Sequence, residues 1–144
     1  IGGTCQGGSL VVHGQHDGLL IEGNTVREDV GAADPGCWGI TVSAAYAEAE
    51  GFRNVTIRGN TVVNAGNVGI GLTSCVSCTI ENNVVVNEQS FGSAAINVPV
   101  WDRDPADLVG RGLGPGGRSA TGNACAWIRH NHHHHRAENC SRGG

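Results

Sequence analysis

The sequence predicts an all-β fold, a parallel β-solenoid of about four coils with three short strands in each, and three observations predict it. A nine-residue motif recurs four times without gaps. A second short alternating run precedes every copy. Glycine accounts for 24 of 144 residues and Phe, Tyr and Trp together for 6, while Asn, Thr and Val are plentiful, a composition that favours turns and β-branched strands over helices.

The four copies are LLIEGNTVR at 19–27, VTIRGNTVV at 55–63, CTIENNVVV at 78–86 and AWIRHNHHH at 126–134. The preceding runs are SLVV at 9–12, GITV at 39–42, GIGL at 69–72 and AINV at 95–98. Strands this short, of period 2 and broken by Gly-Asn or Asn-Asn, bury a face only by stacking on the next copy. The single domain, 1–144, then divides into coils at 9–38, 39–68, 69–93 and 94–135. The compact repeat, Ile57 to Ile80, is 23 residues, and inserts at 44–52 and 100–123 lengthen the neighbouring ones.

Stacked copies place like residue over like. The inward columns are Leu19/Val55/Cys78/Ala126, Ile21/Ile57/Ile80/Ile128, Val26/Val62/Val85/His133, Leu10/Ile40/Ile70/Ile96 and Val12/Val42/Leu72/Val98. Each fully buried aliphatic contributes about 1.5–3 kcal/mol, against the large ordering entropy of a Gly-rich chain. The corner column Asn24/Asn60/Asn83/Asn131 reads as an asparagine ladder, because Asn tolerates left-handed turn geometry and one amide can bond the next. The outward column Glu22/Arg58/Glu81/Arg129 alternates in sign, which supports the register and would continue if Glu22 of one chain met Arg129 of another. No amphipathic capping helix is evident before residue 9 or after 135, so both end layers present strand edges that recruit other strands.

The I-x-G/N-N-x-V pattern and its coil length resemble the right-handed parallel β-helix superfamily of pectate-lyase-like enzymes and carbohydrate-binding and sugar-hydrolase repeat proteins. The resemblance covers roughly residues 9 to 135 and implies the fold; it does not fix an activity, since one fold hosts many chemistries. Enzymes of that superfamily use acidic Ca²⁺ ligands and a basic Arg on the helix flank. No block of this chain maps residue by residue onto their catalytic motifs, and WIRHN at 127–131 echoes one signature only faintly.

Six cysteines, Cys5, Cys37, Cys75, Cys78, Cys125 and Cys140, allow three disulfides in fifteen connectivities. Staples are favoured over metal because the single C-x-x-C at Cys75–Cys78 has no second pair at finger spacing, and Thr79 stands where haem attachment needs His. The histidine run at 132–135 is followed by nine further residues and keeps the repeat register, unlike a purification tag. By that register His132 and His134 share one face of a strand, where, with His130, they could hold Zn²⁺ or Cu²⁺; a polar terminal coil contacting a neighbouring subunit is the plainer alternative.

The two inserts carry Tyr46, Glu48, Glu50, Trp101, Asp102, Arg103 and Asp104, and further on Asp107, Arg111 and Arg118. Carboxylates, an Arg and aromatics on one side of a solenoid suit saccharide binding by Trp101 and Tyr46, acid/base cleavage by Asp102, Asp104, Arg103, Glu48 or Glu50, and Ca²⁺ binding. Ordinary surface loops would carry the same residues.

A net charge of −4 without a basic cluster excludes an electrostatic footprint for nucleic acid, and no apolar run is long enough to span a bilayer as a helix. Six cysteines, no methionine and no lysine read as a chain trimmed from a longer precursor and exported to the extracellular space or cell surface, or as a piece of a larger protein. Two functions follow as expectations. One is a secreted, disulfide-stabilised structural module that polymerises end to end with copies of itself. The other is a carbohydrate-active module, a polysaccharide lyase, hydrolase or glycan binder.

Overall fold

A computed structural model describes residues 7–32, 34–43, 51–72, 75–91, 93–97, 118–129 and 132–137. For 7, 118–121, 126–129 and 132–137 it describes the backbone alone. The described residues form strands and turns and no helix.

Coil 1 contains β1 (Gly7–Val12), β2 (Gln15–Asp17), β3 (Leu20–Glu22) and β4 (Thr25–Arg27). Coil 2 repeats them as β5 (Cys37–Val42), β6 (Gly51–Arg53), β7 (Thr56–Arg58) and β8 (Thr61–Val63). Coil 3 follows as β9 (Val68–Leu72), β10 (Cys75–Val76), β11 (Cys78–Glu81) and β12 (Val84–Asn87). Coil 4 comprises β13 (Ala94–Asn97), β14 (Arg118–Thr121) and β15 (Ala124–Arg129), after which β16 (His132–Ala137) turns back. Strands of one coil pair with their counterparts in the next, giving sheet 1 (β1-β5-β9-β13), sheet 2 (β2-β6-β10), sheet 3 (β3-β7-β11-β14) and sheet 4 (β4-β8-β12-β15-β16). Every pairing is parallel except β15 with β16. The chain is an all-β parallel solenoid of four coils. Each of the first three coils carries one more strand than the periodicity shows, because the sheet 2 strands of two or three residues are too short to display alternation.

The corners follow from backbone sterics. Gly23, Gly59, Asn82 and Gly122, each just ahead of a corner Asn, have φ of 68°, 64°, 54° and 65°. Gly18, Asn54 and Ser77 repeat the same left-handed geometry between sheets 2 and 3, at 85°, 54° and 56°. The left-handed residue is thus the one before the ladder Asn, which explains the Gly or Asn of the motif: an ordinary side chain there costs about 1–2 kcal/mol.

Inside, Leu10, Ile40, Ile70 and Ile96 stand in one file; Val12, Val42 and Leu72, then Ile21, Ile57 and Ile80, and Val26, Val62 and Val85 form the others. Phe52, Val55, Cys75 and Cys78 fill the space beneath sheets 2 and 3.

The fourth coil departs from the expected register. Ala120, not Ile128, pairs with Ile80; Arg118, not Ala126, with Cys78; and Cys125, not His133, with Val85. Thr121 rather than Arg129 faces Glu81, so the charge column ends after Glu81. Asn123 takes the ladder position assigned to Asn131, which lies outside the described residues. The reason is local: Gly122-Asn123 offers glycine at the left-handed position, where His130-Asn131 would strain a histidine. The second insert therefore ends before Arg118, and Gly51–Arg53 is strand rather than insert.

Candidate functional site

The feature that sets one part of the molecule apart is the coil-1 end. β1, β2, β3 and β4 are each the terminal strand of their sheet. The inward side chains there are less covered than their equivalents one coil on. Leu10, Val12 and Leu19 are only partly buried, and Ile21 and Val26 are 5 % and 9 % exposed, whereas Ile40, Val42, Val55, Ile57 and Val62 are all 0 % exposed. The aliphatic core thus reaches the surface at one end of the stack.

The asparagine ladder runs into this face and has a direction. Asn24 donates its backbone N–H and its Nδ2 to Asn60 Oδ1, at 2.9 and 3.0 Å. Asn60 donates both to Asn83 Oδ1 at 2.9 Å, and Asn83 donates both to Asn123 Oδ1 at 3.0 Å. Each inner Nδ2 also reaches back to a carbonyl of the preceding coil: Asn60 to Ile21, Asn83 to Ile57 and Asn123 to Ile80, at 3.0, 3.0 and 3.1 Å. Buried amides paired this fully fix the register.

Beside the ladder, Arg58 Nε donates to Glu22 Oε1 at 2.9 Å. That hydrogen bond, then the charge of Glu22 and to a smaller extent of Glu81, holds the guanidinium pKa above its ordinary value. At the sheet 2 edge His16 stacks on Phe52, with ring planes 3° apart and centroids 5.9 Å apart, and its Nε2 donates to the His13 carbonyl at 2.8 Å. His13 Nδ1 donates to the Ser43 carbonyl at 2.6 Å.

A second polar network ties coils 1, 2 and 3 where sheet 4 gives way to sheet 1. Asn64 Nδ2 donates to Glu28 O and Glu88 Oε2, and its Oδ1 accepts from the Glu88 backbone N–H. Gln89, 2 % exposed, accepts from Gly31 N–H at 2.8 Å and donates to Asn64 O at 3.3 Å. Sequence reasoning missed it, although Asn64 and Asn87 close the second and third copies of the motif and so carry the signal.

On the outer face of sheet 1, Trp38 is 37 % exposed, and Thr41, buried, has a hydroxyl without a hydrogen-bond partner. Trp38 was not singled out from sequence, since it precedes the alternating run.

Cys75 and Cys78 form a disulfide, and Cys37 and Cys125 are each disulfide-bonded, so no described cysteine is free. Cys5 and Cys140 lie outside the described residues, as do Tyr46, Glu48, Glu50, Trp101, Asp102, Arg103, Asp104 and His130. His132 and His134 sit on β16, opposite Arg129 and Trp127. Among the described side chains no three of His, Cys, Asp or Glu gather as a metal site would require. No helix among the described residues is long and apolar enough to cross a membrane.

Comparison with family models, curated proteins and solved structures gives no match. The coil-1 end offers a partly covered apolar layer framed by four terminal strands and an oriented amide ladder.

Proposed function

We propose that this chain is a structural β-solenoid module of an exported, disulfide-stabilised protein, and that it self-assembles through the end face of coil 1. The observation that carries this reading is the step in burial between coil 1 and coil 2: the inward side chains of the first coil are less covered than their fully buried equivalents in the second. Strand edges above such a layer add the main-chain pairing that makes an open edge recruit another strand. The disulfides fit an oxidising compartment.

The two ends differ, which narrows how copies meet. A contact from Glu22 to Arg129 has no place in this assembly, because Arg129 lies outside the charge column. At the far end sheets 1 and 3 finish in the parallel strands β13 and β14 while sheet 4 finishes in antiparallel β16, so in this reading the coil-1 face of one copy meets the coil-4 end of another through sheets 1 and 3. Sedimentation velocity over a hundredfold concentration range, with electron microscopy of the same samples, tests the proposal. Monodisperse monomer at the highest concentration would overturn it.

A second reading has its own observation: an exposed indole, Trp38, on the outer face of sheet 1 suits stacking against a saccharide. The two inserts leave from β5 and β13 of that sheet. Ultraviolet absorbance of unsaturated products from polygalacturonate or alginate, with and without Ca²⁺, tests cleavage. Loss of that signal in Asp102→Ala would bring the second insert into the site.

A further inference from the structure

We infer that the coil-1 face is chemically polar in a way that selects its partner: it takes a parallel β-coil carrying Asn at the corner and a free carbonyl three residues before it. This rests on the reading of coil 1 as a docking face and specifies what docks there.

The ladder has a direction. Inner Oδ1 atoms accept two N–H groups from the preceding coil, as Asn60 Oδ1 does from Asn24 and Asn83 Oδ1 from Asn60. No described residue donates to Asn24 Oδ1. Each inner Nδ2 also donates to the carbonyl three residues ahead of the corner in the preceding coil, as Asn60 does to Ile21 and Asn83 to Ile57. Asn24 Nδ2 lacks that carbonyl and keeps only the two bonds that Asn60 Nδ2 also makes, to the next corner's Oδ1 and to the carbonyl two residues back. The face therefore presents an acceptor that takes two N–H groups at every inner corner, beside an amide that lacks the further carbonyl inner corners supply. An Ile-x-x-Asn segment in parallel register satisfies all of these at once, and it is the pattern the chain itself repeats at 21–24, 57–60 and 80–83. Around that corner the partner must be aliphatic, since Leu10, Val12, Leu19, Ile21 and Val26 supply the layer beneath. Two coil-1 faces set against each other would oppose acceptor to acceptor, so the proposal disfavours that arrangement.

The test uses the full chain with one coil added. Residues 88–93, which join β12 to β13, are as many as 1–6, which precede β1. A copy of Val68–Asn87, with alanine in place of its two cysteines, can therefore be placed directly ahead of Ile1 on the native linker. Three versions carry Asn, Asp or Leu at the added corner, and a fourth combines the Asn corner with Asn24→Leu. The expected result is a thermal midpoint raised most by the Asn corner, at least about 4 °C above the Leu corner, with that advantage abolished by Asn24→Leu. Asp and Leu both keep the backbone donor and lose the side-chain one, and Asp also sets a carboxylate oxygen against Asn24 Oδ1, so Asp falls no higher than Leu. Equal midpoints for Asn and Leu corners would overturn the polarity and leave apolar burial alone. A midpoint unchanged by every version would overturn docking at this face. Self-association of the unextended chain is measured separately, so a monomeric parent refutes the self-assembly reading without deciding this comparison.

Discussion

Asn123 Oδ1 accepts both the backbone and the side-chain N–H of Asn83, each at 3.0 Å, across 40 residues of sequence. That pair sets the register of the last coil and gives Asn123 the place that the repeat assigned to Asn131. Asn83 is fully buried, and it accepts from Asn60 while donating to Asn123 and Ile57. Asn83→Leu strands several buried donors and acceptors at once and should cost about 2–5 kcal/mol in urea unfolding. Asn24→Leu, at the partly exposed end of the ladder, should cost less, since it removes only one side-chain donor pair. A larger loss at Asn24 than at Asn83 would show the ladder's burial to be wrong.

The first three coils were legible because their signals agree. Ile21, Ile57 and Ile80 sit at equal offsets from Gly-Asn or Asn-Asn, and the structure stacks them in one file. The fourth misled because two Asn-containing corners, 122–123 and 130–131, compete, and the copy with the better apolar match has the worse residue at the left-handed position. Pattern matching weighed Ile128; backbone sterics weigh Gly122. The docking face was legible only in part. The corner asparagines are visible in the sequence, but the direction of the ladder depends on which amide atom faces which coil, and spacing carries no such information. Gln89 was invisible for a related reason: it bridges residues 58 apart through a turn that does not repeat.

Gly69 tests how closely the sheets approach. A Cβ on it would lie 2.6 Å from Ala95 O and 2.6 Å from Val85 Cγ1, so a backbone carbonyl and a core side chain block it together. Gly69→Ala should lower stability by about 1–3 kcal/mol despite the usual gain from removing a glycine. Gly71 has only an ordinary contact at 3.5 Å from Val68 Cγ1, and Gly71→Ala should be near neutral. Circular dichroism melts of the two variants compare them directly. Equal midpoints would rule out close sheet approach at Gly69.

Gln89 should act over distance. Its Oε1 holds Gly31 N–H of the first coil while its Nε2 holds the Asn64 carbonyl of the second. Gln89→Leu removes both partners and should cost about 1–3 kcal/mol. Amide hydrogen exchange is the sharper measure. The Gly31 amide should exchange faster in the variant, while that of Thr61, bonded to Asn24 O at the ladder corner, should keep its protection unless the whole fold loosens.

The remaining disulfides should join neighbours in space. Gly7 pairs with Cys37 in the parallel ladder, so Cys5, two residues earlier, is within roughly 7 Å of a residue that itself lies about 4.8 Å from Cys37. At the other end Ala124 pairs with Ala137, which brings Cys140 to within three residues of the partner of Cys125's neighbour. A disulfide needs its Cα atoms about 4.4–6.8 Å apart, so Cys5–Cys37 and Cys125–Cys140 are the expected pairs. The chain has no lysine, and trypsin cutting at its nine arginines places these cysteines in separate peptides: 1–27, 28–53, 119–129 and 137–142. Mass spectrometry of an unreduced digest should find 1–27 linked to 28–53 and 119–129 linked to 137–142, with Cys75–Cys78 internal to 59–103. A link from 1–27 to 119–129 would require the first and last coils to meet, which a linear stack forbids within one chain. Found only in material that sediments as a dimer or larger, that same link would instead place the two ends of different copies side by side.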